Sequence, residues 1–389
     1  MPVRSLRHMN DKRRAHRAKQ ARRDVRRARR RDQESLADPT LTDAIRSALA
    51  KHPADLLSAA SLLIDAATPE RFPWPTPSGR ATPSLDNVLN ALCGARSRET
   101  TALLAVIAEL LADDPEPQLR CRREVAQRGD HLPRWIRALP QAEAYRAVRR
   151  THVLGDVDEL VLGVRLGGGH ELTVSVLIDH LLLSGVADAG VVPEPIDEAL
   201  ARVVETSTDT EVVEMNLADA RAWIEEALAR PTFAPKTETW PLYRALVQWV
   251  VSRLPEGGAR RSPAMGWVAA EELCTDFFAS GLAAPFTASD HREVLWELFE
   301  TGSGDPVRWS AARVEQALGG IRYGGDFTPL EVALDVPDLL RAFIPYAHAQ
   351  SGIHDEFTSQ AIAAIDELRL GYRRKVLRQA NNWEFGDAV

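Results

Sequence analysis

The stretch THVLGDVDELVLGVRLGGGHELTVSVLIDH, Thr151 to His180, decides the fold. Leu160, Leu162, Val164 and Leu166 alternate with other residues, and Leu172, Val174, Val176 and Ile178 do so again. A period of two sends every second side chain to one face of an extended strand. Gly167-Gly168-Gly169 lies between the two runs and supplies a short turn, so the stretch reads as a β-hairpin. Working outward, Val186 to Val192 adds a third strand and Glu211 to Met215 a fourth. Asn216 then caps a helix whose inner face carries Ala220, Trp223, Ile224, Ala227 and Leu228.

Both flanks carry the helical period. Leu41, Ile45, Ala48 and Leu49 form one stripe. Leu56, Leu57, Ala60, Leu63 and Ile64 form a second, with His52-Pro53 as the break and Pro53 at the first helical position. Residues 68 to 83, TPERFPWPTPSGRATP, carry five prolines and one glycine and read as an extended loop, with Trp74 pinning it to the body. Ser84 caps the next helix and Ser97 to Ala112 form another. Arg149 and Arg150 read as the end of a later helix. In the last third, Thr287 and Asp290 suggest a capping box. Ser310 caps a helix that stops at Gly319, and Pro345 is expected to kink or end a helix that begins near Pro337. Phe357, Ala361, Ile365, Leu368, Tyr372 and Val376 give the most regular stripe, closed by Arg369, Arg373, Arg374, Lys375 and Arg378. No period of 20 to 50 residues marks a repeat array.

The expected fold is α+β, predominantly α-helical with a small central antiparallel sheet and a basic N-terminal arm, helical or disordered. The segments are 1–34 (arm), 35–67 (helical hairpin), 68–83 (proline-rich linker or loop), 84–150 (helical), 151–232 (sheet with helix) and 233–389 (helical). The hairpin sequence, VVPEP at Val191–Pro195 and RETTALLAVIAELL at Arg98–Leu111 resemble a family of helical proteins from high-GC actinobacteria with no assigned activity. The resemblance therefore implies nothing about mechanism.

The chain of 389 residues is long enough for two or three domains, and its 26% charged and 45% hydrophobic content excludes a wholly disordered chain. Three cysteines exclude a disulfide scaffold and fit a reducing compartment. No apolar run reaches the ~20 residues of a membrane-spanning helix, so no membrane partner is expected. The net charge of −7 hides a division. Residues 1–34 hold 14 basic and four acidic residues, a net +10, which leaves −17 on the remainder. The basic run leads into Gln33, Glu34 and Ser35 with no apolar segment, so it is not an export signal, and a cytoplasmic location is expected. Ala15, Ala18, Ala21, Val25 and Ala28 form a narrow face of small residues. Around it stand Arg13, Arg14, Arg17, Arg22, Arg23, Arg26, Arg27, Arg29, Arg30 and Arg31, a set suited to gripping phosphate oxygens. No aromatic residue interleaves with them, so base stacking is not indicated.

Chemistry leaves fainter marks. Cys93, Cys121 and Cys274 lack CxxC spacing, and the zinc, phosphate-loop, nucleophile-elbow and dinucleotide motifs are all missing. No metal and no cofactor are expected. Asp179 and His180, at the end of the second strand, are the weak acid/base candidates, with His152, Asp156 and Asp158 near enough to join them. Adjacent strand residues point to opposite faces, so Asp179 and His180 need not touch. His348, His354, Asp355 and Glu356 form a looser group. The expected function is that of a non-enzymatic nucleic-acid-associated or regulatory protein, DNA or RNA being open. The alternatives are an adaptor whose arm meets an acidic protein surface, or an enzyme using Asp179 and His180.

Overall fold

The computed structural model describes residues 39–68, 84–204, 209–230, 237–262, 265–320 and 328–386. The arm, residues 1–34, and nearly all of the proline-rich stretch with Trp74 lie outside the described residues.

The fold is α+β and dominated by helix, with one five-stranded antiparallel sheet. The strands are β1 (Glu143–His152), β2 (Val157–Leu166), β3 (His170–Asp179), β4 (Gly185–Val192) and β5 (Thr210–Met215), in the order β4-β3-β2-β1-β5. The hairpin of β2 and β3 pairs Leu166 with His170 across the three glycines. Gly168 and Gly169 sit at φ +92° and +84°, where a side chain would strain the backbone. The even-numbered residues Leu160, Leu162, Val164, Leu172, Val174, Val176 and Ile178 all enter the main core.

Strand β1 departs from the helical reading of residues 84–150. Its sequence, EAYRAVRRTH, is rich in helix formers. Pairing overrides that preference, because β1 is bonded on one side to β2 and on the other to β5. Ala147 and Val148, which face opposite sides of the sheet, are both buried. The strand is interior to the sheet but has no clear alternation of its own.

The core on one side of the sheet is shared with α1 (Pro39–Ala50), α2 (Pro53–Ala67), α3 (Leu85–Gly94), α4 (Arg98–Leu110), and two helices that follow β5, α5 (Leu217–Ala229) and α6 (Trp240–Val251), of which α5 and α6 lie against the strands. Caps stand where the sequence puts them. The His52 ring accepts a hydrogen bond from Ala54 N–H, Ser84 accepts from Asn87 N–H and Asn216 accepts from Ala218 N–H. The opposite side carries a small cluster of Val148, Val161, Ile196 and Leu200.

A second core is built by α7 (Trp267–Ala279), α8 (Ser289–Phe299), α9 (Ala311–Gly320), α10 (Leu330–Ser351) and α11 (Asp355–Gly386). Two segments here depart from their sequence pattern. Helix α10 begins at Leu330 and runs through both Pro337 and Pro345 to a left-handed Gly352. Burial of Val336, Leu339, Leu340, Phe343, Ile344 and Ala347 outweighs the missing N–H groups. Helix α8 starts at Ser289 without a side-chain cap, so Thr287 and Asp290 form no capping box. The long stripe behaves as read: Ala361, Ile365, Tyr372 and Val376 are buried on α11. Among the described residues no helix is long and apolar enough to cross a membrane.

Candidate functional site

The end of the sheet formed by the β1–β2 and β3–β4 connections meets the second core. The period that builds the hairpin also builds this polar junction. Continuing the even-numbered series beyond the apolar residues brings Asp158 and His180 to the core-facing side at one end of the sheet. Thr151 is the register partner of Asp158 on β1. Both Asp158 and His180 are 2% exposed.

His180 Nε2 lies 2.8 Å from Asp158 Oδ2, and Thr151 Oγ1 donates to Asp158 Oδ1. Arg261 approaches the same carboxylate, with Nε 3.6 Å from Oδ2. Burial works to raise the Asp158 carboxyl, but hydrogen bonds from His180 and Thr151 and the charge of Arg261 outweigh it. The net effect holds Asp158 below the usual carboxylate range. On the other side of the ring, Nδ1 of His180 is 3.0 Å from Ser184 Oγ.

Asp179 takes no part in this network. Its odd position faces away, and its Oδ1 accepts the N–H of Leu181 at 2.8 Å, bracing the turn. His152 also stands apart, with Nδ1 accepting from Leu154 N–H and its ring set edge-on to Phe357. The Asp156 carbonyl accepts the N–H of His180. The Asp156 carboxyl is raised by burial, against a hydrogen bond from Ser310 and the charge of Arg313, and its Oδ1 has no partner among the described residues. Of the sequence candidates, then, His180 and Asp158 come together, Asp179 and His152 brace backbone, and Asp156 lies behind them.

Ser184, Thr151 and Arg261 complete the network and carry no motif. Ser184 belongs to the tight turn Leu182-Leu183-Ser184-Gly185, closed by Gly185 N–H on the Leu182 carbonyl. Leu183 and Ser184 have φ of 62° and 56°, the only non-glycine residues of positive φ among the described residues. Such a turn is ordinarily built from Asn and Gly, so nothing in Leu-Ser announces it. The turn is held from outside: Gln316 on α9 donates to the Leu181 carbonyl at 2.8 Å and Arg230 donates to the Leu183 carbonyl at 3.1 Å.

Of the looser group, His348 is buried, whereas His354, Asp355 and Glu356 are exposed beside the start of α11. His348 Nε2 accepts the N–H of Trp309 and Nδ1 meets Thr358 Oγ1, while burial lowers its pKa to about 4. Among the described residues no group of three or more His, Cys, Asp or Glu is arranged to hold a metal ion. Burial pushes Cys121 up to about 12 and Cys274 up to about 11, so neither presents a thiolate at neutral pH.

The basic clusters of the body are largely committed to partners. Arg369 and Arg373 share Asp338, Lys375 donates to the Gly319 carbonyl, Arg120 pairs with Asp86 and Arg122 with Glu109. Arg150 pairs with Glu159 across β1 and β2. No family model, curated protein or solved structure matches the chain, so the likeness to actinobacterial helical proteins gains no support there.

Proposed function

We propose that the chain is a nucleic-acid-associated protein whose N-terminal arm holds the phosphate backbone without strong sequence preference. The observation that carries this reading is the separation of charge: +10 within 34 residues against −17 over the rest. Screening confines electrostatic attraction to roughly 10 Å in 0.1 M salt, so the local charge of the arm, not the sum, governs its encounters. The pairing of the body's arginines supports assigning the contact to Arg13, Arg14, Arg17, Arg22, Arg23, Arg26, Arg27, Arg29, Arg30 and Arg31. An acidic body repels a polyanion, so contact is expected to stay on the arm.

The test is a binding titration of the whole chain, and of a chain lacking residues 1–34, on mixed-sequence DNA and RNA at several salt concentrations. With six to eight bases on phosphates, log K falls against log salt with a slope of about 0.9 per contact on duplex and about 0.7 on single strands. Removing the arm abolishes most of the affinity, and replacing one arginine changes little. No binding by the whole chain at low salt overturns the reading in favour of an acidic protein partner. Equal binding by the shortened chain transfers the site to the body.

A further inference from the structure

We propose that Ser184 is an activated nucleophile, that His180 is its base, that Asp158 positions His180, and that the site takes short-chain carboxylic esters of polar alcohols. This reading is independent of the arm.

The first support is the relay itself. A nucleophilic serine needs a base within hydrogen-bond reach and a third group that fixes the base. Ser184 Oγ is 3.0 Å from Nδ1 of His180, and Nε2 is 2.8 Å from Asp158 Oδ2. An ionised carboxylate only accepts, so Nε2 carries the hydrogen and Nδ1 offers its lone pair to the serine hydroxyl. The ring stands the other way round from the commonest serine–histidine–aspartate arrangement, which changes neither role.

The second support is the backbone. Ser184 occupies a left-handed conformation at φ 56°, next to Leu183 at φ 62°, in a turn that glycine and asparagine would form without strain. Such conformations persist where surrounding bonds over-determine them, and they cluster at reactive sites. Here Asp179, Gln316 and Arg230 hold the turn by separate bonds.

The third support is space. Ser184 lines a cleft of about 60 Å³ with Ile178, Trp223, Glu226, Arg230 and Arg261. At roughly 15 Å³ for each water-sized group, it admits a small acyl group and little more. Arg261, which lines the cleft, brings a positive charge to it that would favour negative charge developing on a carbonyl oxygen bound there. Glu226 accepts from Arg230 through Oε1, while its Oε2 is buried without a hydrogen-bond partner among the described residues, an acceptor that a hydroxyl of the alcohol would satisfy. The cleft shares Glu226 and Arg230 with a groove of about 730 Å³ along α5, which is polar enough for the rest of that alcohol.

In the reaction the Ser184 oxygen bonds to the acyl carbon while its proton moves to His180 Nδ1. The bond from acyl carbon to alcohol oxygen breaks, and the alkoxide takes that proton. Water then adds to the acyl-serine, giving a proton to Nδ1, and the carboxylic acid leaves as the proton returns to Ser184.

The test exposes the full-length protein to a small alkyl fluorophosphonate, which exchanges fluoride for the serine oxygen, and follows the adduct by intact mass and peptide mapping. The expected result is one adduct per chain on Ser184, formed at least 100-fold faster than on heat-unfolded protein. Ser184→Gly keeps the turn, since glycine takes positive φ freely, and loses the adduct. His180→Gln slows labelling at least 100-fold. Asp158→Asn lowers kcat on p-nitrophenyl acetate by at least 10-fold with KM unchanged, the mark of a group acting through His180. No adduct, an adduct on another residue, or undiminished labelling of Ser184→Gly overturns the proposal.

Discussion

The sheet has two tight connections at opposite ends of β3, and they solve the same geometric problem with opposite chemistry. Between β2 and β3 the positive φ angles fall on Gly168 and Gly169. Between β3 and β4 they fall on Leu183 and Ser184. The glycine turn needs no outside help. The leucine–serine turn is tied by side chains from Arg230 at the C-cap of α5, from Gln316 on α9, from Asp179 and from the His180 ring. A left-handed conformation costs an L-residue roughly 1–2 kcal/mol. The first turn is therefore where the sheet closes cheaply, and the second is where it holds a polar side chain in a set place against its intrinsic preference.

Asp158 stands behind the second turn, bonded to it through His180. Asp158→Ala leaves the buried His180 and the half-buried Arg261 without their carboxylate and is expected to destabilise the fold by about 3–5 kcal/mol, read by urea denaturation. The wild-type contribution also depends on pH. Because Asp158 titrates below its unfolded value of 3.8, this stabilisation is complete above that value and is lost as pH falls through the folded one. Asp158→Asn removes that part of the acid dependence. A loss below 1 kcal/mol for Asp158→Ala would mean that the second turn is not anchored by this network.

At the first turn, a Cβ on Gly167 would meet the Ala138 Cβ at 2.1 Å. Gly167→Ala must move backbone and is expected to cost about 2–3 kcal/mol. Gly169 has open space around it, so Gly169→Ala reports the backbone alone and is expected to cost ~1 kcal/mol. The reverse exchange at the second turn, Leu183→Gly, is expected to stabilise by about 0.4–1 kcal/mol, seen as a higher urea midpoint at unchanged slope. If both exchanges leave stability unchanged, the two turns are equivalent and the contrast is false.

The parts of the sheet end that were legible in the sequence are those with periodicity. Alternation over Leu160–Leu166 and Leu172–Ile178 marks the hairpin, and the glycines mark its turn. Extending the same alternation by one position brings Asp158 and His180 together, which the neighbouring pair Asp179-His180 obscures. Strand β1 was not legible, because Ala, Arg and Glu favour helix and only the flanking strands β2 and β5 make it extended. The other members of the site were silent for another reason. Ser184 stands in a turn without turn residues, and Arg261 reaches Asp158 from 103 positions along the chain. A contact of that separation leaves no local pattern. The helical stripes of the second core were plain, whereas the continuity of α10 through two prolines depends on the burial around it.

Arg313 has a consequence of its own. Its guanidinium is fully buried, donates to the carbonyl oxygens of Phe299, Asp305 and Arg308 and to Thr301 Oγ1, and lies 4.1 Å from the centre of the Trp309 ring. Burial lowers its pKa to about 10, which leaves it a cation at neutral pH. The segment 299–309 is thus wrapped around a positive centre much as a loop is wrapped around calcium, with main-chain oxygens as ligands. This centre is covalently tethered to α9, so no chelator extracts it and no change in the ionic composition of the medium dilutes it. A lysine has the charge but not the planar set of five donors, and it would leave several of those oxygens without a ligand.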